Sequence, residues 1–252
     1  MTESPPAGRY EGRVVVVTGA RRGVGALIAS HFASHGAEVV GFSRHADEPI
    51  PSAPADGVKA HERIVHLVVD VGNADSVREG FEAVRKRFGR VDILVNNAAV
   101  LTSQYAMIMP AAAAQNMVTT NLLGTFLTSR EAAKLMRKGK WGRIINIGSM
   151  AVSLEPMGDS VYAATKAGIS TLANVMAKEL ASINVTCNTL GITAIETDML
   201  RQLPRDKVDA IIANLPIPRM ATTEDILNVV DFFASPASGY VTAQTIYLGG
   251  VN

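Results

Sequence analysis

The chain has 252 residues, of which 48% are hydrophobic and 19% charged, and its formal net charge is +1. This length fits one large α/β domain or two small ones, and the balanced charge gives no electrostatic reason to expect nucleic acid or an anionic membrane as partner. Residues 1–8 are polar and Pro-rich without an apolar signal segment, and no uncharged run is long enough to span a bilayer, so we expect a cytoplasmic protein. The single cysteine, Cys187, excludes an intrachain disulfide, and its apolar surroundings predict a core position.

The first predicted element is a strand that runs into a glycine-rich turn. Residues 13–17 are β-branched after Arg13, which is typical of a parallel strand buried on both faces. The turn reads Thr18-Gly19-Ala20-Arg21-Arg22-Gly23-Val24-Gly25, and residues 26–35 have helical character. Such a turn presents backbone N–H groups at the positive end of a helix, where a pyrophosphate binds. A lone glycine motif also fits a plain tight turn, but the strand before it and the helix after it favour nucleotide binding.

A second strand, predicted over residues 38–42, ends in Ser43 and Arg44. A site for NAD usually carries Asp or Glu at this strand end to bind the ribose 2′-hydroxyl. Here Ser43 and Arg44 take that place, and Arg21 and Arg22 lie in the glycine loop. Cations there suit a 2′-phosphate, so we predict NADP(H) as the cofactor; the alternative is that these arginines only face solvent.

Further strands alternate with helices along the rest of the chain. We predict a surface loop at 46–62, strands at 64–69, 91–95, 144–147, 185–190 and 244–248, and helices at 75–88, 111–136, 161–181 and 224–234, the last capped by Thr223. Residues 196–218 carry apolar side chains at helical spacing, which could either pack in the core or cover a bound ligand. The alternation predicts an α/β fold with a doubly wound parallel sheet, as one domain from 12 to 252 after a flexible segment 1–11.

The stretch from Ser149 to Lys166 carries residues suited to proton transfer. Ser149 follows an apolar strand, and ligands bind at the carboxyl ends of strands in open α/β sheets. Tyr162 and Lys166 are four residues apart, which places both on one face of a helix. An ammonium beside a phenol favours the phenolate, so we expect Lys166 to lower the pKa of Tyr162 and to let it exchange a proton with a substrate oxygen. These spacings also occur by chance, and then imply no catalytic role.

Taken together, the chain from about Gly12 onward resembles the short-chain dehydrogenase/reductase family. The matching segments occur in the order and at the spacings of the family: Thr18-Gly19-x-x-x-Gly23-x-Gly25, Asp70-Val71, Asn96-Asn97-Ala98-Ala99, Asn121, Ser149 and Tyr162-x-x-x-Lys166. The resemblance implies a single Rossmann-type domain. Within the family, the chain loosely resembles the 3-oxoacyl-acyl-carrier-protein reductases.

The resemblance also implies a role for each catalytic residue. Tyr162 would be the general acid–base, Lys166 would bind the nicotinamide ribose and lower the Tyr162 pKa, Ser149 would orient the carbonyl, and Asn121 would hold a water for proton resupply. No metal is expected. The implied cofactor contacts are Gly19, Arg21, Arg22, Gly23, Val24, Gly25, Ser43, Arg44, Asp70, Val71, Asn97, Ala98, Tyr162, Lys166, Ile195 and Thr197.

Three positions depart from the pattern of the family. Ala99 replaces a glycine beside the ribose, Ile192-Thr193 replaces Pro-Gly after the sixth strand, and Leu248 stands where an acid usually precedes two glycines. None of these changes removes a catalytic group.

The function these features predict is NADP(H)-dependent hydride transfer between the nicotinamide and a small carbonyl compound or secondary alcohol. The apolar residues of 150–159 and 199–218 favour an apolar or modest-sized polar ketone over a multiply charged one; the alternative is that these residues serve packing. The alternatives are a dinucleotide-binding sensor without activity, and a dehydratase or epimerase on the same scaffold. The resemblance further implies a homo-oligomer, a tetramer or a dimer.

Overall fold

A computed structural model of the chain describes residues 8–45, 63–195, 208–209, 212–213 and 215–251. The loop predicted at 46–62 and residues 196–207 of the apolar segment lie outside the described residues. Thr197 is among them.

Seven parallel strands form one sheet in the order β3-β2-β1-β4-β5-β6-β7. In chain order the strands are β1 (Val14–Thr18), β2 (Glu38–Ser43), β3 (Ile64–Val68), β4 (Ile93–Asn96), β5 (Gly142–Ser149), β6 (Val185–Ile192) and β7 (Thr245–Tyr247). The chain order reverses between β1 and β4, which makes the carboxyl edge there the expected ligand crevice of a doubly wound sheet. The predicted fold class is confirmed.

Helices cover both faces of the sheet, because successive side chains of a strand point to opposite faces. The helices are α1 (Gly23–Ser34), α2 (Ala74–Phe88), α3 (Ala111–Met117), α4 (Gly124–Gly139), α5 (Ala151–Leu154), α6 (Ser160–Leu180) and α7 (Thr223–Ala234). Val15 and Val17 pack with Ile28 of α1 and Phe233 of α7, whereas Val14 and Val16 pack in a second cluster with helices α2, α4 and α6.

The helix predicted at 111–136 is interrupted by a π-helical turn. Val118–Leu123 is π-helical and joins α3 to α4 without a break in right-handed backbone. Such turns are rare and occur most often at functional sites. This one places Asn121 in the interior, where its side chain is 0% exposed.

Two boundaries differ from the sequence-based expectation. Tyr10 is buried, donates a hydrogen bond to Asp231 Oδ1 (2.5 Å) and packs edge-on against Phe32, so the segment predicted to be flexible at 1–11 is anchored at Tyr10. Residues 1–7 of that segment lie outside the described residues. The cap of α7 is Thr222, not Thr223: the Thr222 hydroxyl accepts from the Asp225 N–H, and the Asp225 carboxylate accepts from the Thr222 N–H. This reciprocal pairing requires the cap to lie three residues before its acidic partner, and Thr222 lies three residues before Asp225.

Cys187 lies inside β6, paired with Ile144 of β5, and is 1% exposed. Burial raises the pKa of its thiol to about 12. A protonated, enclosed thiol is a packing residue, as predicted. Among the described residues no helix is long and apolar enough to cross a membrane.

Candidate active site

The glycine loop between β1 and α1 has no room for side chains at two of its glycines. Gly19 has φ +65°, and a Cβ there would lie 2.9 Å from Asn97 Nδ2. A Cβ on Gly25 would overlap the carbonyl oxygen of Gly19 and the same Asn97 nitrogen. Asn97 Nδ2 donates to the carbonyls of Thr18 (3.0 Å) and Gly19 (3.2 Å), which fixes the loop on the end of β4. The loop is therefore a close-packed backbone cradle.

The first turn of α1 faces this cradle. Arg22 precedes the helix in an extended conformation, and no side chain caps the helix start. The first N–H groups of a helix have no partner within the helix, and they carry the positive end of its dipole. A pyrophosphate fits these donors, since glycine lets it approach the backbone.

A cavity of about 340 Å³ runs from the glycine loop along the carboxyl ends of the strands to Tyr162. Most of the predicted site residues line it: Gly19, Arg21, Arg22, Gly23, Val24, Ser43, Arg44, Val71, Asn97, Ala98, Tyr162, Lys166 and Ile195. Four predicted residues lie behind or beside the lining, namely Gly25, Asp70, Asn121 and Ser149.

One end of the cavity is positively charged. Arg21 Nε donates to Ser43 Oγ at 2.9 Å, and Arg22 and Arg44 are exposed beside them. The cavity lining that the structure describes includes no Asp or Glu. This composition favours an anionic group at the end of β2.

Asp70, predicted to flank the adenine, is not among the described residues that line the cavity. Its Oδ1 accepts a hydrogen bond from the N–H of Gly72 (3.0 Å), which turns the carboxylate back onto its own loop. Val69 and Val71, on either side of it, are buried and line the cavity. The wall for a flat ring is therefore apolar at this point.

At the other end of the cavity, Ser149, Tyr162 and Lys166 converge. Tyr162 and Lys166 lie on one face of α6, with Lys166 Nζ 5.7 Å from the Tyr162 ring centroid. Lys166 Nζ donates to the carbonyl of Ile147 in β5 at 2.7 Å. The Ser149 hydroxyl, at the end of β5, accepts from the Ala151 N–H (3.1 Å) and hydrogen-bonds to Tyr162. Tyr162 and Lys166 share one face of the helix, as their spacing of four predicts.

Burial dominates the electrostatics of this cluster. Burial raises the pKa of the Tyr162 phenol above its ordinary value of 10.0; the hydrogen bond with Ser149 opposes this effect and the charge of Asp159 adds to it. Burial lowers the pKa of Lys166 to about 8. The Lys166 ammonium donates to the carbonyl of Ile147. That Lys166, together with the charge of a bound cofactor, lowers the pKa of Tyr162 stays a prediction.

Asn121 holds the cavity wall rather than lining it. Its Oδ1 accepts from the N–H of Val100 at 2.8 Å, and its Nδ2 donates to the carbonyl of Val100 at 3.0 Å and to Thr165 Oγ1 at 3.1 Å. These contacts link the π-helical turn, the segment after β4 and α6. Val100 and the adjacent Ala98, Ala99 and Leu101 line the cavity.

The departures from the family pattern have structural counterparts. Ala99 and Ile192 line the cavity, and Thr193 is buried next to it. Gly191 is covered by the ring of Tyr247 from β7, which a Cβ on Gly191 would overlap. The ring of Tyr247, on the edge strand of the sheet, therefore packs over the residue that precedes Ile192-Thr193.

Several lining residues were not predicted from the sequence. They are Phe42, His45, Val69, Val100, Leu101, Thr120, Ile147 and Gly148. Phe42 and Ile147 are strand residues and Val69 directly follows β3, and their apolar side chains resemble core residues. Thr120 precedes Asn121 in the π-helical turn. Their positions near strand ends and beside the motifs were the feature of the sequence that could have predicted them. The described residues hold no cluster of three or more His, Cys, Asp or Glu placed to bind a metal ion.

The residues present fit a dinucleotide: a cradle that admits only backbone, an apolar wall, a positive end, and a Tyr–Lys pair at the far end.

Comparison with known proteins agrees with this geometry. Residues 19–252 match the family model described as Enoyl-(Acyl carrier protein) reductase. The 3-oxoacyl-[acyl-carrier-protein] reductase of Escherichia coli K12 is 36% identical over 241 residues, 96% of this chain and 97% of the relative, and the enzyme of that name from Vibrio cholerae is 36% identical over 242 residues, 95% and 97%. A crystal structure of a putative gluconate dehydrogenase from Agrobacterium tumefaciens superposes with TM-score 0.84 at 29% identity, over 96% of both chains. The chain therefore belongs to the short-chain dehydrogenase/reductase family and is an oxidoreductase that uses a nicotinamide dinucleotide.

Proposed function

We propose that the protein is an NADP(H)-dependent ketone reductase and alcohol dehydrogenase in which Tyr162 is the general acid–base. The observation that carries this proposal is the convergence of Ser149, Tyr162 and Lys166 at one end of a cavity whose other end is the glycine loop and its arginines. A bound nicotinamide dinucleotide supplies the hydride. The residues of the chain supply position, a proton and the surrounding field.

In ketone reduction the phenol of Tyr162 donates its proton to the carbonyl oxygen of the substrate. Its raised pKa keeps that proton in place at neutral pH. The Ser149 hydroxyl, held by the N–H of Ala151, donates a hydrogen bond to the same oxygen and stabilises the charge that develops on it. Lys166, fixed by Ile147, binds the ribose hydroxyls next to Tyr162. Asn121 keeps the cavity wall at Val100 in place. We also propose that Asn121 holds a water molecule through which the proton of Tyr162 is resupplied.

The preference for NADP(H) is supported by the positive end of the cavity. Arg22 and Arg44 are exposed there, and Arg21 is aligned by Ser43. We expect NADPH to bind more tightly than NADH. Arg44→Ala should lower the affinity for NADPH by about tenfold and leave the affinity for NADH nearly unchanged. Arg137→Ala, at an exposed position at the end of α4, is the matched control. Tighter binding of NADH by the wild type would refute the cofactor assignment.

The proposed substrate is a neutral ketone with apolar parts. Leu154 (38% exposed) and Met157 (81%) lie between β5 and α6, and the carbonyl of Gly158 accepts from the N–H of Gln104, which brings the segment after β4 alongside. Tyr105 and Met107 of that segment are also exposed. The Escherichia coli relative is named for a 3-oxoacyl substrate, and these exposed apolar side chains suit an acyl chain of that kind. Met199, Leu200 and Leu203, predicted to share this role, lie outside the described residues.

The proposal is tested by following NADPH absorbance with purified protein and a panel of ketones, with analysis of the product. We expect conversion to the secondary alcohol, and Ser149→Ala to lower kcat by about 10–10³-fold while Ser182→Ala, at an exposed position, leaves it unchanged. Tight NADPH binding without turnover of any ketone or alcohol would indicate the sensor alternative. A product formed without net oxidation or reduction would indicate a dehydratase or epimerase.

Assembly and location are part of the same proposal. Exposed apolar side chains lie on the helix that contains the π-helical turn, at Val118, Leu123 and Phe126, and on α6 at Val175. We propose a homo-oligomer, a tetramer or a dimer, in the cytoplasm. A monomer by light scattering would overturn the oligomer.

A further inference from the structure

His66 is a partly buried histidine on β3 that the proposed chemistry does not use. Both of its ring nitrogens are enclosed, and neither has a hydrogen-bond partner among the described residues. Enclosing an unpaired polar atom costs free energy, so such a side chain calls for an explanation. One explanation is packing alone, with the imidazole filling space as an apolar ring would.

The imidazole lies against the glycine loop. His66 pairs with Gly41 in the parallel register of β2 and β3, so both positions face the same side of the sheet. A Cβ added to Gly41 would lie 2.9 Å from His66 Nδ1 and 2.9 Å from the Cβ of Ala20. The ring and the loop therefore meet above Gly41, where only a glycine leaves room for both.

This contact lies beside the positive end of the cavity. Arg21 follows Ala20 in the loop, and its Nε donates to Ser43 Oγ at 2.9 Å. Ser43 is two residues beyond Gly41 on β2, so its side chain points to the same face of the sheet as the imidazole, about 7 Å further along the strand. His66 is thus the neighbour, on that face, of the Arg21–Ser43 pair that we assign to the 2′-phosphate of NADP(H).

The groups around His66 favour its neutral ring. The titratable or charged groups on the described elements next to it are Arg21 and Arg22 in the loop, Arg44 and His45 after β2, Asp70 after β3, Glu38 and Arg63 at the opposite end of these strands, and His31 and His35 at the far end of α1. Asp70 accepts from the N–H of Gly72, and Glu38 pairs with Arg63. Burial lowers the pKa of His66 below its ordinary value of 6.5, and the Arg21 guanidinium lowers it further.

We propose that His66 takes up a proton from solvent when the 2′-phosphate of the cofactor binds at Arg21 and Ser43, which couples the preference for NADP(H) over NAD(H) to pH. This inference rests on the proposed cofactor preference. A 2′-phosphate brings roughly two negative charges at neutral pH, and these oppose the field of Arg21 and favour the imidazolium. Because linkage is reciprocal, the bound proton strengthens phosphate binding, so the preference for NADP(H) should rise as the pH falls.

The direct test follows the imidazole of His66 by NMR in the wild-type protein with ¹⁵N-labelled histidine, assigned by through-bond correlation to its backbone. NADP⁺ should raise the pH at the midpoint of this titration by at least about half a unit over NAD⁺, and adenosine 2′,5′-bisphosphate should do the same over AMP. His35, at the far end of α1, is the control and should titrate alike in all four complexes. Equal midpoints for His66 within both pairs would overturn the inference and leave His66 a packing residue.

The ratio of NADP⁺ affinity to NAD⁺ affinity between about pH 7.5 and about pH 5.5 gives a second readout. The phosphate itself gains a proton near pH 6, so the comparison is with His66→Asn, or with His66→Leu if asparagine prevents folding, because both retain that effect. On acidification the ratio in the wild type should gain about three- to tenfold on the ratio in the variant, and His35→Asn should behave as the wild type does.

The alternatives give different results. A packing role would weaken NADP⁺ and NAD⁺ alike in the His66 variants and leave the pH dependence of their ratio unchanged, which would contradict the inference. Loss of the pH effect in His45→Asn but not in His66→Asn would assign the proton to His45 and overturn it as well. Tighter binding of NAD⁺ than of NADP⁺ by the wild type would instead overturn the proposed cofactor preference.

Discussion

The side-chain amide of Asn121 pairs with both backbone groups of Val100, accepting from its N–H at 2.8 Å and donating to its carbonyl at 3.0 Å. A π-helical turn thereby holds a cavity-lining segment as a neighbouring strand would. Asn121→Ala leaves both groups of Val100 without their partner, so we expect a stability loss of about 2–4 kcal/mol and weaker NADPH binding.

Urea denaturation and NADPH titration check this expectation. Asn228→Ala, on the exposed side of α7, is the control and should be within about 0.5 kcal/mol of the wild type. Unaltered stability and affinity in Asn121→Ala would show that the segment is held by other contacts.

Gly25→Ala tests the cradle. The added methyl group would overlap the carbonyl oxygen of Gly19 and Asn97 Nδ2, so the loop must move away from the end of β4. We expect NADPH affinity to fall by more than about tenfold. Gly139→Ala at the end of α4 has nothing within 4 Å of the new methyl group and should bind NADPH as the wild type does. Equal affinities in the two variants would contradict the cradle.

Lys166 sets a conflict between stability and activity. Burial lowers the pKa of Lys166 to about 8 from 10.5. The buried charge therefore lowers the free energy of unfolding by its full amount below about pH 8, and by less as the pH rises toward 10.5. Lys166→Met should therefore stabilise the fold by about 1–3 kcal/mol at neutral pH, less whatever the lost bond to Ile147 contributes, while it abolishes turnover.

The stability difference between Lys166→Met and the wild type should narrow between about pH 8 and pH 10. Urea denaturation across this range measures it, with Lys178→Met, exposed on the same helix, as control. A less stable Lys166→Met protein at neutral pH would show that the bond to Ile147 outweighs the cost of the buried charge.

The capping box of α7 gives a test of the fold away from the site. Thr222→Ala removes the acceptor for the Asp225 N–H and should cost about 1 kcal/mol. Thr223→Ala removes no capping bond and should cost less than about 0.5 kcal/mol. Thermal unfolding of the two variants distinguishes them, and a reversed order would place the cap at Thr223.

Local patterns in the sequence predict much of this fold because strand and helix signals agree with one another. The β-branched run at 14–17 and the glycines at 19, 23 and 25 each restrict the backbone locally, and the four-residue spacing of Tyr162 and Lys166 fixes their shared face. The π-helical turn at Asn121 has no local signal, because its polar partners, Val100 and Thr165, come from distant segments.

The effect of burial on the pKa of Tyr162 has no local signal in the sequence for a related reason. The spacing to Lys166 says which groups meet, whereas the pKa depends on how much water the surrounding elements exclude. The cover of Tyr247 over Gly191 likewise depends on tertiary packing. Resemblance located Asp70 but not the direction of its carboxylate.

The most direct test of the account is ketone reduction by Tyr162→Phe with NADPH. Phenylalanine keeps the packing of the ring but has no proton to give, so kcat should fall by about 10²–10⁴-fold while NADPH affinity stays within about threefold of the wild type. Tyr240→Phe, at a fully exposed tyrosine, should retain full activity. Undiminished turnover by Tyr162→Phe would contradict the role of this phenol as the proton donor.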